Sequence, residues 1–116
     1  MKSENCIFCE IVQGKKPAAI VHQTESVIAF KDIRPQAPIH ILIIPKEHIP
    51  TLNDIKPQHQ DLIGEIFLVV KELAKQLGLA DKGYRTVFNC NRAAGQDVYH
   101  IHLHLLGGRQ FYWPPG

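Results

Sequence analysis

His100-Ile101-His102-Leu103-His104-Leu105-Leu106, closed by Gly107-Gly108, is the stretch on which the reading of this chain turns. Imidazole and aliphatic side chains alternate in it, and a period of two is what a β-strand displays on its two faces. In an extended conformation Ile101, Leu103 and Leu105 point one way and His100, His102 and His104 the other, with next-nearest side chains roughly 6.6–6.8 Å apart. A strand face that is merely wet usually carries Lys, Thr or Glu. Imidazoles on one face can bind a metal, cradle an anion, or let one ring attack while the others stabilise charge. Function is expected here.

Just upstream, Arg92-Ala93-Ala94-Gly95-Gln96 is a loop of small residues that leads into the histidine strand. Gly95 and Gln96 leave backbone N–H groups free to approach an oxyanion. Gly83 to Asn89 reads as the preceding strand, and Asn89 at its end could add an amide donor. Before it, the apolar residues Leu62, Ile63, Ile66, Phe67, Val69, Val70, Leu73 and Leu77 recur at three-and-four spacing. They predict a long helix over Gln58 to Gly78 whose stripe is core.

Ile39-His40-Ile41-Leu42-Ile43-Ile44 is the most apolar segment and ends at Pro45. It predicts a central strand buried on both faces, with His40 its one polar intrusion. The loop Asp32-Ile33-Arg34-Pro35-Gln36-Ala37-Pro38 before it is held out of regular structure by two prolines, and Asp32 could accept from a pair of sugar hydroxyls. Ala19 to His22 and Val27 to Lys31 predict two strands joined by a turn, and Cys6 to Gln13 a short helix stopped by Gly14. The order helix, three strands, long helix, two strands indicates an α+β domain with an antiparallel sheet, spanning residues 1–116 as one unit.

Composition narrows the function classes. A formal net charge of +2, with dispersed lysines, gives no electrostatic reason to expect nucleic acid or a membrane surface as partner. No apolar run approaches the length of a membrane span or a signal sequence, which predicts a soluble, cytoplasmic protein. The three cysteines fit a reducing compartment better than a disulfide framework. Cys6-x-x-Cys9 with His48 and His100 downstream could form a tetrahedral zinc site. The competing reading makes both cysteines small buried hydrophobes on the helix. Cys90 has no partner pattern and reads as packing.

His100-x-His102-x-His104-Leu105-Leu106-Gly107-Gly108, together with Pro35-Gln36-Ala37-Pro38-x-His40 and Ile44-Pro45-Lys46-x-His48, resembles the histidine triad (HIT) family. Gly107-Gly108-Arg109-Gln110 with Trp113-Pro114-Pro115-Gly116 is similar to its Hint branch, the nucleotide-binding phosphoramidases. The resemblance runs from Ile7 to Gly116 and implies a five-stranded antiparallel sheet with one short and one long helix, dimerising through a continuous sheet. It implies hydrolysis of purine nucleoside phosphoramidates, releasing AMP or GMP through a covalent nucleotidyl-histidine. By motif position His102 would be the nucleophile, His104 a phosphate contact and His40 the support of the nucleophile, with His100 completing the triad. Asp32 and Ile33 would hold ribose and base, and Asn89, Gly95, Gln96 and Asp97 the phosphate. Position 97 departs from well-known eukaryotic members, which carry Ser there; an anion would face away or weaken phosphate binding.

In members that carry zinc, the first triad histidine is a ligand, which implies Cys6, Cys9, His48 and His100 as the set for a structural ion. No cofactor is expected for catalysis. The rival function classes are a nucleotide sensor or protein-interaction module that binds without turnover, and a metalloenzyme using His100, His102 and His104 as ligands. Three histidines on alternate positions of one flat strand splay too far to share an ion at about 2.0–2.1 Å. The exposed sheet edges of so small a chain, and an aromatic tail at Phe111 to Trp113 with no place in a monomer core, predict a homodimer.

Overall fold

A computed structural model describes residues 5–116. The chain runs through a short helix α1 (Ile7–Val12), strands β1 (Ile20–Gln23), β2 (Val27–Lys31) and β3 (Ile39–Pro45), a long helix α2 (Gln60–Gln76), and strands β4 (Arg85–Phe88) and β5 (Leu103–Gly107). The five strands form one antiparallel sheet in the order β1-β2-β3-β5-β4.

The most apolar strand lies at the centre because both of its faces are covered. Ile41 and Ile43 of β3 join Val27, Ala29, Leu103 and Leu105 under Ile66, Val69, Val70 and Leu73 of α2. The alternate residues Leu42 and Ile44 join Ile28 and Phe30 against Cys6, Phe8, Cys9 and Ile11 of the N-terminal helix and its cap. The two helices therefore lie on opposite faces of the sheet, and His40, His102 and His104 share the α1 face with Leu42.

The expected helix over 58–78 is shorter than its periodicity suggested. Pro57 to His59 form a 3-10 turn whose start is closed by the Lys56 N–H donating to His59 Nδ1 at 2.9 Å. At the other end Gly78 takes φ +74°, and the Leu79 N–H bonds the Ala74 carbonyl at 2.8 Å, a glycine-dependent helix stop. Thr51 caps the turn Leu52–Asp54, with Asp54 bonding back to its N–H.

The main departure from expectation is the start of the histidine strand. The ladder to β3 begins at the pair Ile43–Leu103, so His100, Ile101 and His102 lie outside it. The reason is hydrogen bonding to the loop after β3: the Ile101 N–H donates to the Ile49 carbonyl at 2.8 Å, and His100 Nε2–H to the Pro45 carbonyl at 2.7 Å. The alternation of side chains persists through this stretch, but its first imidazole is carried into a different neighbourhood.

Candidate functional site

Two of the three motif histidines lie side by side. His102 and His104 have ring centroids 5.0 Å apart. His102 Nδ1 lies 2.8 Å from the carbonyl of His100, and a carbonyl only accepts. In the neutral form of this buried ring the proton therefore sits on Nδ1, and Nε2 keeps its lone pair.

The same reasoning fixes the next two rings. The Gln36 N–H donates to His40 Nδ1 at 3.0 Å, so His40 carries its proton on Nε2. That Nε2–H points at His104 Nδ1, 2.9 Å away, which leaves His104 with a donating Nε2–H. Burial pushes the His104 pKa down to about 4, helped by the neighbouring His102 and His40. Burial also lowers that of His40, against the opposing pull of Asp32, whose Oδ2 lies 3.4 Å from its Nε2. Neutral rings are what this chain of donors requires. His40 thus supports His104 directly. It does not bond to His102, because the register sets it opposite Leu106 and diagonal to His104.

A cleft of about 610 Å³ leads to this point between α1 and the β2–β3 loop. Its wall is apolar, made by Phe8, Ile11, Phe30, Leu42 and Val98, with Asp32 and Ile33 on the rim. Its inner end is marked by Leu42, the ladder partner of His104, and by Asp97, whose Oδ1 stands 3.6 Å from His102 Nε2. Asp97 faces the histidine and does not turn away from it.

Several expected site residues sit elsewhere or are otherwise engaged. Gly95, at φ +83°, donates its N–H to the Arg92 carbonyl at 3.0 Å, and the Gln96 N–H donates to Asn91 at 3.1 Å. Neither is free for an oxyanion, which corrects that expectation. The Gln96 side chain is spent on the loop too, donating to the Pro50 and Val98 carbonyls and accepting from the Asn91 N–H. Asn89 is half-buried past β4 and does not line the cleft. The apolar wall leaves no local signature in the sequence because its members come from α1, β2, β3 and the loop before β5. Phe8, lodged between the two cysteines, was the one available signal.

The third imidazole belongs to a second cluster, which also ends any reading of the three histidines as one metal site. His100 is fully buried, with Nδ1 3.4 Å from Cys6 Sγ and 3.6 Å from Cys9 Sγ, while His48 Nδ1 lies 3.4 Å from Cys9 Sγ. The four donor atoms all lie within 4.8 Å of one another. A tetrahedral zinc with bonds of about 2.0–2.3 Å has edges of about 3.3–3.8 Å, and the three sulfur–nitrogen separations of 3.4, 3.4 and 3.6 Å fit such an ion. The bond from His100 Nε2–H to Pro45 orients the ring from behind, as outer partners of metal-binding histidines do. Burial lowers His100 to about 4 and lowers His48, which leaves both lone pairs available.

The family described as "Scavenger mRNA decapping enzyme C-term binding" matches residues 5–110. A HIT family hydrolase from Legionella pneumophila Philadelphia 1 is 56% identical and superimposes with a TM-score of 0.95, over 97% of this chain and 100% of that one. This chain belongs to the histidine triad (HIT) family. A histidine triad protein from Clostridium difficile is similar at 38% identity and a TM-score of 0.93, over 97% of each chain. Among curated HIT relatives, the purine nucleoside phosphoramidase of Escherichia coli K12 is 50% identical over 92% of this chain and 90% of its own. An uncharacterized HIT-like protein of Synechococcus elongatus is 51% identical over 98% of this chain and 99% of its own. The HIT histidines thus divide here between a ring pair behind the cleft and a thiol-containing cluster.

Proposed function

We propose that this HIT protein is a purine nucleoside phosphoramidase that works through a nucleotidyl-histidine intermediate. The observation that carries the reading is the bond from His102 Nδ1–H to the His100 carbonyl, which turns Nε2 toward Asp97, a residue of the cleft lining. The identity to the E. coli phosphoramidase supports the substrate class.

A purine fits the apolar wall, and Ile33, an aliphatic side chain 91% exposed on the rim, is covered when a base lies against it. Asp32, beside it, accepts from the ribose hydroxyls. His102 Nε2 attacks phosphorus as the P–N bond breaks, and the amine departs with a proton. Water then cleaves the P–N bond to His102 and restores the ring. One water is consumed overall: its hydroxyl goes to phosphorus and its remaining proton balances the one taken by the amine. His104 Nε2–H, backed by His40, donates to a phosphoryl oxygen as negative charge develops there. Preorganised donors of this kind are typically worth about 3–4 kcal/mol. His100 supports the chemistry through its main chain and not as a ring in the cleft.

Cys6, Cys9, His48 and His100 hold a structural zinc in this reading, and the ion touches none of the reacting atoms. The active form is a homodimer. Turnover of an adenosine 5′-phosphoramidate by the wild-type chain, lost in His102→Ala while AMP still binds, is the expected result. AMP binding without turnover in the wild type makes the chain a nucleotide-binding module instead. Metal analysis of protein purified without chelator is expected to return one zinc per chain.

A further inference from the structure

His100 touches the metal cluster with its side chain and the candidate nucleophile with its main chain. We propose that the Cys6–Cys9–His48–His100 cluster, when it holds its metal, positions the nucleotide site through His100 and Phe8, so that metal and nucleotide bind cooperatively. The proposal rests on the phosphoramidase reading for the identity of the nucleotide.

Two connections carry it. The first is His100 itself. Its ring is fixed at both nitrogens, Nδ1 toward the two thiols at 3.4 and 3.6 Å and Nε2–H on the Pro45 carbonyl at 2.7 Å. Its carbonyl, directed by the same residue, is the acceptor that holds His102 in the tautomer with a free Nε2. Nothing else among the described residues bonds that Nδ1. Releasing the ring from the cluster loosens the acceptor and lets His102 turn or exchange tautomers.

The second connection is α1. It is six residues long, far below the length at which a helix persists alone, so its position is set by what it is fastened to. Cys6 caps it, the Cys9 N–H bonding Cys6 Sγ at 3.4 Å, and Cys9 lies within its first turn, so the metal would fasten both ends of that turn. Between them Phe8 stands edge-on to His100 at 5.9 Å, to His102 at 5.1 Å and to Phe30 at 5.5 Å. The same helix, through Ile7, Phe8 and Ile11, walls the 610 Å³ cleft. One fastening therefore sets both the orientation of His102 and the shape of the base site. Linkage then demands reciprocity: whatever factor metal adds to nucleotide affinity, nucleotide adds to metal affinity.

The experiment uses the full chain with Zn(II) and AMP as probes. Zinc affinity is measured by competition with a chromophoric chelator, with and without saturating AMP, and AMP affinity is measured on the zinc-loaded and chelated protein. Long-range ¹H–¹⁵N spectra report which nitrogen of His102 is protonated in each state. The expected result is a mutual tightening of at least about fivefold, with His102 passing from one Nδ1–H tautomer to a mixture when zinc is removed. A cluster that only adds global stability leaves both affinities and the His102 spectrum unchanged, and that result overturns the proposal, as does a chain that binds no zinc. Failure to bind AMP in the zinc-loaded form overturns the nucleotide reading and the coupling together. Phosphoramidate turnover without mutual tightening overturns the coupling alone. Because chelation also lowers stability, the same affinities are measured in Phe8→Leu, which keeps all four ligands. The mutual effect shrinks there if α1 transmits it, and an undiminished effect removes Phe8 from the account.

Discussion

At the scale of single residues, the site is governed by which nitrogen of each ring holds the proton. The assignment runs from the Gln36 N–H through His40 to His104, and separately from the His100 carbonyl to His102. It requires His104 to be neutral. A ring with a pKa near 4 in the folded chain and near 6.5 in the unfolded one takes up its proton first in the unfolded state as pH falls. Its contribution to stability is therefore complete above about pH 6.5 and declines progressively toward pH 4. NMR titration of the His104 ring should give a midpoint near 4, and a midpoint near 6.5 would contradict the burial that favours a neutral ring accepting from His40 at Nδ1. Asp97 gives a second prediction. Its carboxylate stands 3.6 Å from His102 Nε2 and repels a phosphate placed there. Asp97→Asn should tighten AMP binding about three- to tenfold at low salt, and the gain should shrink at 0.5 M salt as screening grows. Unchanged affinity would mean that the side chain swings clear when nucleotide enters. The sequence made the chemistry of these residues legible but not their pairing, since His40 reaches His104 only through a register that places it opposite Leu106.

At the scale of elements, strict alternation made β5 legible, and five turns of three-and-four spacing did the same for α2. What local pattern could not show was that Ile101 would leave the ladder for the Ile49 carbonyl and take His100 into the thiol cluster. That contact joins residues 52 positions apart and leaves no periodic trace. The paired glycines that close β5 have separate physical reasons. Gly108 takes φ +91°, while a Cβ on Gly107 would stand 2.6 Å from Cδ1 of Leu79, a buried side chain just beyond α2. Gly107→Ala should therefore destabilise the fold by about 1–3 kcal/mol through overpacking. In a Leu79→Ala background the added cost should largely vanish, as read from urea denaturation of the four forms in a double-mutant cycle. An equal cost in both backgrounds would place the requirement for glycine in the backbone and not in the contact.

At the scale of the whole molecule, the sheet ends in two edge strands, β1 and β4, and the tail leaves Tyr112 and Trp113 exposed at 74% and 83%. Phe111, by contrast, is held against the body between the guanidinium groups of Arg109 and Arg85 at 4.2 and 5.2 Å. On α2, Phe67 and Leu68 are open to solvent at 45% and 66%. Apolar surface beside an unpaired edge is best covered by a second copy. Light scattering at micromolar concentration should return twice the 13.1 kDa chain mass. The monomer mass would contradict the dimer and leave the aromatic tail without a role. No helix among the described residues is long and apolar enough to cross a membrane.

The central claim is that His102 Nε2 forms a covalent bond to phosphorus. Rapid acid quench of the wild-type chain during turnover of an adenosine phosphoramidate, followed by peptide mass analysis, tests it most directly. The account predicts a transient gain of one adenylyl group on the peptide containing His102, absent in His102→Ala. An adduct localised to His104, or turnover undiminished in His102→Ala, would contradict it.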